Sequence, residues 1–478
     1  MPRKSRPAPA DVEGAPRRST LPPPPPSAEH HRIDEDRERL LRWKHWGPYL
    51  SERAWGTVRE DYSASGDAWG SFPHDHARSR AYRWNEDGLG GICDRSQLLC
   101  VALAVWNERD LILKERAFGL SGPEGNHGED VKEVYYYEDA TPTSSYLRYL
   151  YKYPQRPFPY DDLVAAAQGR GTFDRELDLH ETGAFDDGRY FDVRVEYAKR
   201  GPFDILMAVT VENLGPEEAA IHVLPHVWFR NSWSWSEPIG ELPEIRAAEA
   251  GPGYAAMRAS HPQMEPLHVY VEGEPELLFT NNETHNERLY GAPSRTPYVK
   301  DAFHRRVVGG ETGAVSPERR GTKAASWHRL VVPAGGSARV LLRLTQEPAE
   351  APFEGSDELL ATRRREADEY YAAIQGPGLS EDRRAIQRQA AAGLLWTMQF
   401  YHYDVDTWFR GDALPAPAER RLGRNAHWQH ISVADVISMP DAWEYPWFAA
   451  WDLAFHALAL SSIDIDLAKS QLKLMVKE

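Results

Sequence analysis

Asp452 and His456 are the two ionisable residues in an otherwise apolar run, Trp447 to Leu460, that follows Pro446 in the stretch SMPDAWEYPWFAAWDLAFH (Ser438 to His456). Proline suits the first turn of a helix, where its missing N–H costs nothing, so the run is expected to form a helix apolar on every side and therefore buried. A carboxyl in such a helix must be hydrogen-bonded, paired or protonated, because an isolated buried charge is costly. Desolvation also raises its pKa, which is how a proton donor for neutral pH is made. Asp452 is therefore the leading candidate for a general acid. A structural reading competes with it: His456 lies four residues on, on the same helical face, and the two side chains could form a contact with no chemistry.

Further candidates surround this pair. Asp441 and Glu444 precede the helix, a place that suits capping or acceptance of sugar hydroxyls better than proton donation. Trp443, Tyr445, Trp447 and Trp451 form an aromatic cluster, with Trp428 and His430 upstream. Aromatic faces stack on the apolar faces of pyranose rings while neighbouring N–H and O–H groups orient the sugar. Trp428, Asp441, Trp443, Glu444, Tyr445, Trp447 and His456 make up the candidate substrate-binding set; Trp451 and Phe455 read as core.

Other chemistry finds less support. His74-Asp75-His76, and His127 with Glu129 and Asp130, resemble metal pairs without a third ligand, so no metal is expected. Gly119, Gly122, Gly125 and Gly128 lack the Lys-Ser/Thr of a P-loop and do not fit the dinucleotide fingerprint, which leaves an ordered loop. No G-x-S-x-G elbow is present, and no cofactor is called for.

The elements that would position these residues fall into two kinds. From Trp46 to about Glu347 the chain reads as strands: Gln97–Trp106, Tyr190–Tyr197, Phe203–Glu212, Ala219–Phe229, Leu267–Val271 and Ser337–Thr345 lie between turn clusters such as Asn213-Leu214-Gly215. Strands without interleaved helices indicate an antiparallel sandwich. Asp357–Ile374 reads as a charged linker helix. Ser380 is a good N-cap for a helix from Glu381 to about Tyr401, and Ile465–Val476 begins another, so helix is expected to follow helix to Glu478. Residues 1–33, with Pro22 to Pro26 in an unbroken row, are expected to be a disordered tail, and ordered structure is expected from about Asp34.

Four stretches carry a family resemblance: WGPYLSERAWGTVREDYS (Trp46 to Ser63), FPHDHARSRAYRW (Phe72 to Trp84), GPEGNHGEDVKE (Gly122 to Glu133) and WEYPWFAAWDLAFH (Trp443 to His456). Together they resemble the bacterial branch of glycoside hydrolase family 63, which contains processing α-glucosidases and is related to the mannosylglycerate hydrolases. The resemblance runs from about Leu40 onward. It implies a multidomain protein: an N-terminal antiparallel β super-sandwich (34–350), a linker helix (351–379) and the first helices of an (α/α)6 barrel (380–478). It also implies hydrolysis with inversion, Asp452 as general acid, and a Glu as base late in the barrel, beyond Glu478. Fewer helices fit into 380–478 than a closed barrel needs, so the chain is expected to stop within its catalytic domain and to be inactive alone. The sandwich motifs are expected to approach the barrel mouth. The expected partner is an oligosaccharide or small glucoside. A sandwich that binds carbohydrate without turning it over is the alternative, followed by another α/α-barrel activity of trehalase or mannosylglycerate hydrolase type.

Composition sets bounds on these readings. Lys and Arg total 56 against 72 Asp and Glu, a net charge of −16, which argues against a nucleic-acid surface or an anionic-membrane patch. Cys93 and Cys100 fit no zinc or redox spacing and point to a reducing compartment. No stretch is apolar enough to span a bilayer, and the basic N-terminus lacks an apolar signal region, so a cytoplasmic location is expected. Asn282-Glu283-Thr284 is formally a glycosylation sequon.

Overall fold

The structure, a computed structural model, describes residues 26–53, 73–120, 130–171, 173–235, 240–411, 416–439 and 448–477. Two antiparallel sheets dominate. One has six strands, in the order Trp46–Gly47, Leu89–Asp94, Leu99–Trp106, Ala219–Phe229, Lys323–Val332 and Glu276–Thr280. The other has nine, including Met264–Glu272, Ser337–Thr345, Asp204–Asn213, Tyr190–Gly201, Tyr146–Pro154 and Val134–Ala140 as successive neighbours.

The period-two pattern explains why the sheets face one another. Phe191, Val193, Val195 and Tyr197 alternate along one strand, Ile205, Met207, Val209 and Val211 along the next, and all join Leu99, Val101, Leu103 and Val105 of the six-stranded sheet in one buried cluster. The six-stranded sheet is also covered on its other face, where Ala104, Leu224, Leu278 and Ala325 pack with Phe303 and Val307 of a short helix. Its strand Ala219–Phe229 contains Pro225, which has no N–H to donate, and the ladder to Lys323–Val332 skips Leu224 and Pro225. Gly90 has φ +52°, and a Cβ there would stand 2.7 Å from the Tyr149 ring, so only glycine fits at that crossing. Cys93 and Cys100 face each other across neighbouring strands, both buried and unbridged.

Helices flank this sandwich. The chain's first described helix, α1 (Ala28–Arg37), begins before the expected start of order at Asp34. Its Glu29 is fully buried and accepts hydrogen bonds from the Thr143 N–H (2.8 Å), Thr143 Oγ1 (2.7 Å) and Ser145 Oγ (2.6 Å), so the helix is anchored by contacts more than a hundred residues away. The remainder of the expected tail, 1–25, lies outside the described residues. α2 (Ser356–Ile374) lies on the nine-stranded sheet, where Arg364 grips Glu196 through two nitrogens at 2.8 and 2.6 Å. α3 (Glu381–Trp396), capped by Ser380, docks through Trp396, which stacks on Tyr137 at 5.3 Å and donates to the Asp139 carbonyl.

Two expectations about this region need correction. The helix from Glu381 ends at Trp396 and not at Tyr401. Met398–Asp404 is instead a strand, paired over its full length with Ser432–Ser438. Alternation decides this, because Met398, Phe400 and Val436 enter the sandwich core while Tyr401, Tyr403, Val433 and Ile437 face a second cluster on the other side. The hairpin thus divides the two cores, and helix does not simply follow helix.

The second correction concerns α4 (Ala450–Leu460), which starts after Trp447 and packs against α5 (Ile465–Lys477). Leu453, Ala457 and Leu460 point inward, but Trp451 is 75% exposed, Phe455 59% and Leu458 73%. The helix is apolar all round, as expected, yet only one face is covered, because its packing partners among the described residues, α5, α3 and the strand Ser432–Ser438, lie on one side. Trp451 and Phe455 are consequently surface residues here, not core. None of the described helices is long and apolar enough to cross a membrane.

Candidate active site

Asp452 stands in the first turn of α4, half-buried, between inward-facing Leu453 and outward-facing Trp451. Its carboxylate has no hydrogen-bond or salt-bridge partner among the described residues; its charge acts electrostatically on His456. His456 is committed elsewhere. Its Nδ1 lies 2.8 Å from Ser438 Oγ, and burial lowers its pKa against the opposing pull of the Asp452 charge. The i,i+4 pair is therefore a through-space contact and not a hydrogen bond.

Ser438 is itself held in place. It is buried at the end of the strand hairpin, and its N–H donates to Gln471 Oε1 of α5 at 2.9 Å, while Gln471 Nε2 returns a bond to the Val436 carbonyl at 3.1 Å. A strand, a helix end and a buried amide thus fix the ring one turn beyond Asp452. Asp464 caps α5, accepting from the N–H groups of Asp466 and Leu467, and pairs with Lys44 from the N-terminal segment. The helical hairpin that carries Asp452 is tied by this pair to the segment that leads into the sandwich.

Of the other expected site residues, Trp428 is 53% exposed, its ring 5.9 Å from that of His430, which leaves a face open to a ligand. Asp441, Trp443, Glu444, Tyr445 and Trp447 lie outside the described residues. His74 and Asp75 do not converge on a cation. His74 is buried edge-on against Phe118 and near-parallel to Tyr160, and Asp75 is held by Arg288 and Arg78. Asp178, His180 and Glu181 do bring three ligating atoms within 4.8 Å, but they are exposed, Asp178 and Glu181 form a capping box, and Glu181 pairs with Arg175. Asn282 of the sequon is fully buried, donating to Glu86 Oε1 (2.7 Å) and the Phe229 carbonyl (3.0 Å).

The fold brings together residues that no local pattern marks. Trp84, the last residue of the stretch FPHDHARSRAYRW, shares an apolar cluster with Leu453, the neighbour of Asp452. His402 meets Trp84 edge-on at 5.0 Å, and burial lowers its pKa to about 3. Trp84 Nε1 and His402 Nδ1 are both buried without a hydrogen-bond partner among the described residues. Glu52, within the stretch beginning at Trp46, is fully enclosed; Tyr137 donates to its Oε2 at 2.7 Å, and burial raises its pKa to about 7. The only local signal for these residues is that they lie in or beside long aromatic-rich stretches.

No family model matches the chain. The uncharacterized protein YMR196W of Saccharomyces cerevisiae (strain ATCC 204508 / S288c) is 40% identical over 502 residues, an alignment that takes in 94% of this chain and 46% of that protein. The chain therefore spans about half the length of the curated relative it matches. Among solved structures, similarity is found to a polysaccharide lyase (13% identity, 54% of this chain and 27% of that one, TM-score 0.23). It is found also to a protein named as a kojibiose phosphorylase from the human microbiome (8% identity, 73% and 39%, TM-score 0.22). A third is a protein named as an aldose 1-epimerase of Escherichia coli K12 (8% identity, 44% and 67%, TM-score 0.21). All three names are those of carbohydrate-active enzymes, but TM-scores this low say nothing about the chemistry of this chain.

Proposed function

We propose that this chain belongs to an inverting glycoside hydrolase acting on α-glucosides or short oligosaccharides, with Asp452 as general acid and α3 to α5 as part of an α/α-barrel catalytic unit. The observation that supports this reading most is the state of Asp452. Among the described residues, this half-buried carboxylate in the first turn of an apolar helix has no hydrogen bond and no ion pair, which supports its availability to a ligand. The shared cluster of Trp84 and Leu453 adds support, since it joins two of the four stretches that resemble family 63 glucosidases.

In this reading Asp452 donates a proton to the departing glycosidic oxygen, and a second carboxylate activates water on the opposite face of the sugar. His456, kept in place by Ser438, is a positioning residue that stands beside the acid. Trp428 offers a stacking face for a pyranose ring.

The test is hydrolysis of α-linked glucosides by the protein that the gene encodes, with the anomeric form of the released sugar followed by NMR. Inverted product is expected, and Asp452→Asn should lower kcat by roughly 10² to 10⁴-fold, the usual share of a general acid, with KM little changed. Retained configuration, or an Asp452→Asn variant of undiminished kcat, would overturn the proposal.

A further inference from the structure

A cleft of about 470 Å³ opens between the segment that enters the strand Trp46–Gly47 and the strand ends and turns of the nine-stranded sheet. Its wall comes from four places in the chain: Arg42, His45 and Trp46 entering the six-stranded sheet, Phe203 in the turn between Tyr190–Gly201 and Asp204–Asn213, the hairpin from Pro262 to Leu267, and Gln346 just after Ser337–Thr345. Sequence distance between these segments is large, so only the closed sandwich creates the cleft.

The lining is matched to an uncharged, hydroxyl-rich ring. The rings of His45 and Phe203 lie 5.0 Å apart, forming an apolar wall with Trp46 behind it. Burial, with Lys199, Arg42 and Arg95 nearby, lowers the His45 pKa to about 4, so the imidazole is neutral and offers one donor and one acceptor. The side chains of Arg42, Gln263 and Gln346 have no hydrogen-bond partner among the described residues, which leaves two amides and a guanidinium free for a ligand. Arg42 and Glu265 cancel in charge, so nothing in the wall selects an ion. The frame is rigid: Lys199 Nζ, itself buried, donates to the carbonyls of Trp43 and Trp46, both at 2.6 Å, and to that of Thr143 at 2.9 Å.

From this lining we infer that the cleft is a carbohydrate-binding site on the sandwich, taking a neutral pyranose unit with its ring face against Phe203 and His45 and its hydroxyls on Gln263, Gln346 and Arg42. A cleft of this size with one apolar wall and a few convergent polar groups has the form of a small-molecule site. The inference does not depend on Asp452, and the site binds without turnover.

The experiment is calorimetric titration of the full chain with maltotriose, in parallel with the variants Phe203→Ala, Gln346→Ala, Gln263→Ala and Asp452→Asn. Saturable binding is expected, weakened about tenfold or more by Phe203→Ala and by Gln346→Ala and left within about twofold by Asp452→Asn. Gln263 and Gln346 make no contact that folding needs, so their variants remain informative if Phe203→Ala does not fold. Absence of saturable heat, or binding that survives Phe203→Ala, Gln346→Ala and Gln263→Ala unchanged, would overturn the inference. The first result leaves the hydrolase proposal standing, and the second would move the bound sugar to another surface.

Discussion

Protonation of single buried carboxyls has consequences that can be measured one residue at a time. Glu52 is enclosed, hydrogen-bonded by Tyr137, and raised to about 7 from an ordinary 4.5. A folded-state pKa above the unfolded value means that the native protein binds more protons between the two values. The stability this group contributes is fully present below about pH 4.5 and is lost as pH rises through about 7. Glu52→Gln should therefore flatten this part of the stability profile, by an amount on the order of 3 kcal/mol at about 1.4 kcal/mol per pH unit. Thermal melts across this range check it; parallel curves for the two proteins would show that Glu52 is not the titrating group. Asp452 is a different case at the same scale, since among the described residues it has no hydrogen-bond or ion-pair partner to lose. Its substitution by Asn should leave the melting temperature nearly unchanged while it removes turnover.

At the scale of elements, the helical hairpin α4–α5 depends on one side chain at its corner. Asp464 caps α5 through the Asp466 and Leu467 N–H groups at 2.9 and 3.0 Å and also receives Lys44. Loss of such a cap costs about 0.5–2 kcal/mol, and the mostly buried Lys44, left with only the longer pair to Asp36 at 4.0 Å, adds to it. Asp464→Ala should raise hydrogen exchange across residues 450–477 while the central strand Ala219–Phe229 keeps its protection. An equal loss in both would mean that the hairpin and sandwich unfold as one unit. The result bears on function, because the same corner sets the position of the helix that carries Asp452.

For the whole molecule, the outward face of α4 is the conspicuous feature. Trp451, Phe455 and Leu458 lie on adjacent turns and are all more than half exposed. Val476 on α5 is also exposed, at 89%. Contiguous apolar surface of this kind drives association. The 478-residue chain is expected to self-associate at micromolar concentration in sedimentation experiments, and Phe455→Ser with Leu458→Ser should shift it toward the monomer. An unchanged distribution of species in the double variant would assign association to another surface. The clamp between Lys44 and Asp464, and the anchoring of Glu29 by Thr143 and Ser145, tie the N-terminal segment to helix and sandwich together.

Much of this architecture could be read locally. The strands Ala219–Phe229 and Ser337–Thr345 and the helices around Ser356–Ile374 and Ile465–Lys477 stand where alternation, turn residues and caps place them, because those signals act within a few residues of each other. Asp452 stands out as a candidate for the same reason: a carboxyl in an apolar helix is conspicuous in any fold. What lies opposite a segment is not local information. The aromatic run Phe400, Tyr401 and Tyr403 reads equally well as the last turn of a helix, and became a strand because Val433, Val436 and Ile437 are available to pair with it and apolar cores lie on both sides. The outer face of α4 was expected to be covered, since apolarity signals a tendency to be buried and cannot supply the covering element. The bond from Tyr137 to Glu52, the meeting of Trp84 with Leu453, and the cleft between Phe203 and Gln346 join residues far apart in the chain. Such contacts follow from how the sheets close, so only the tertiary structure could decide them.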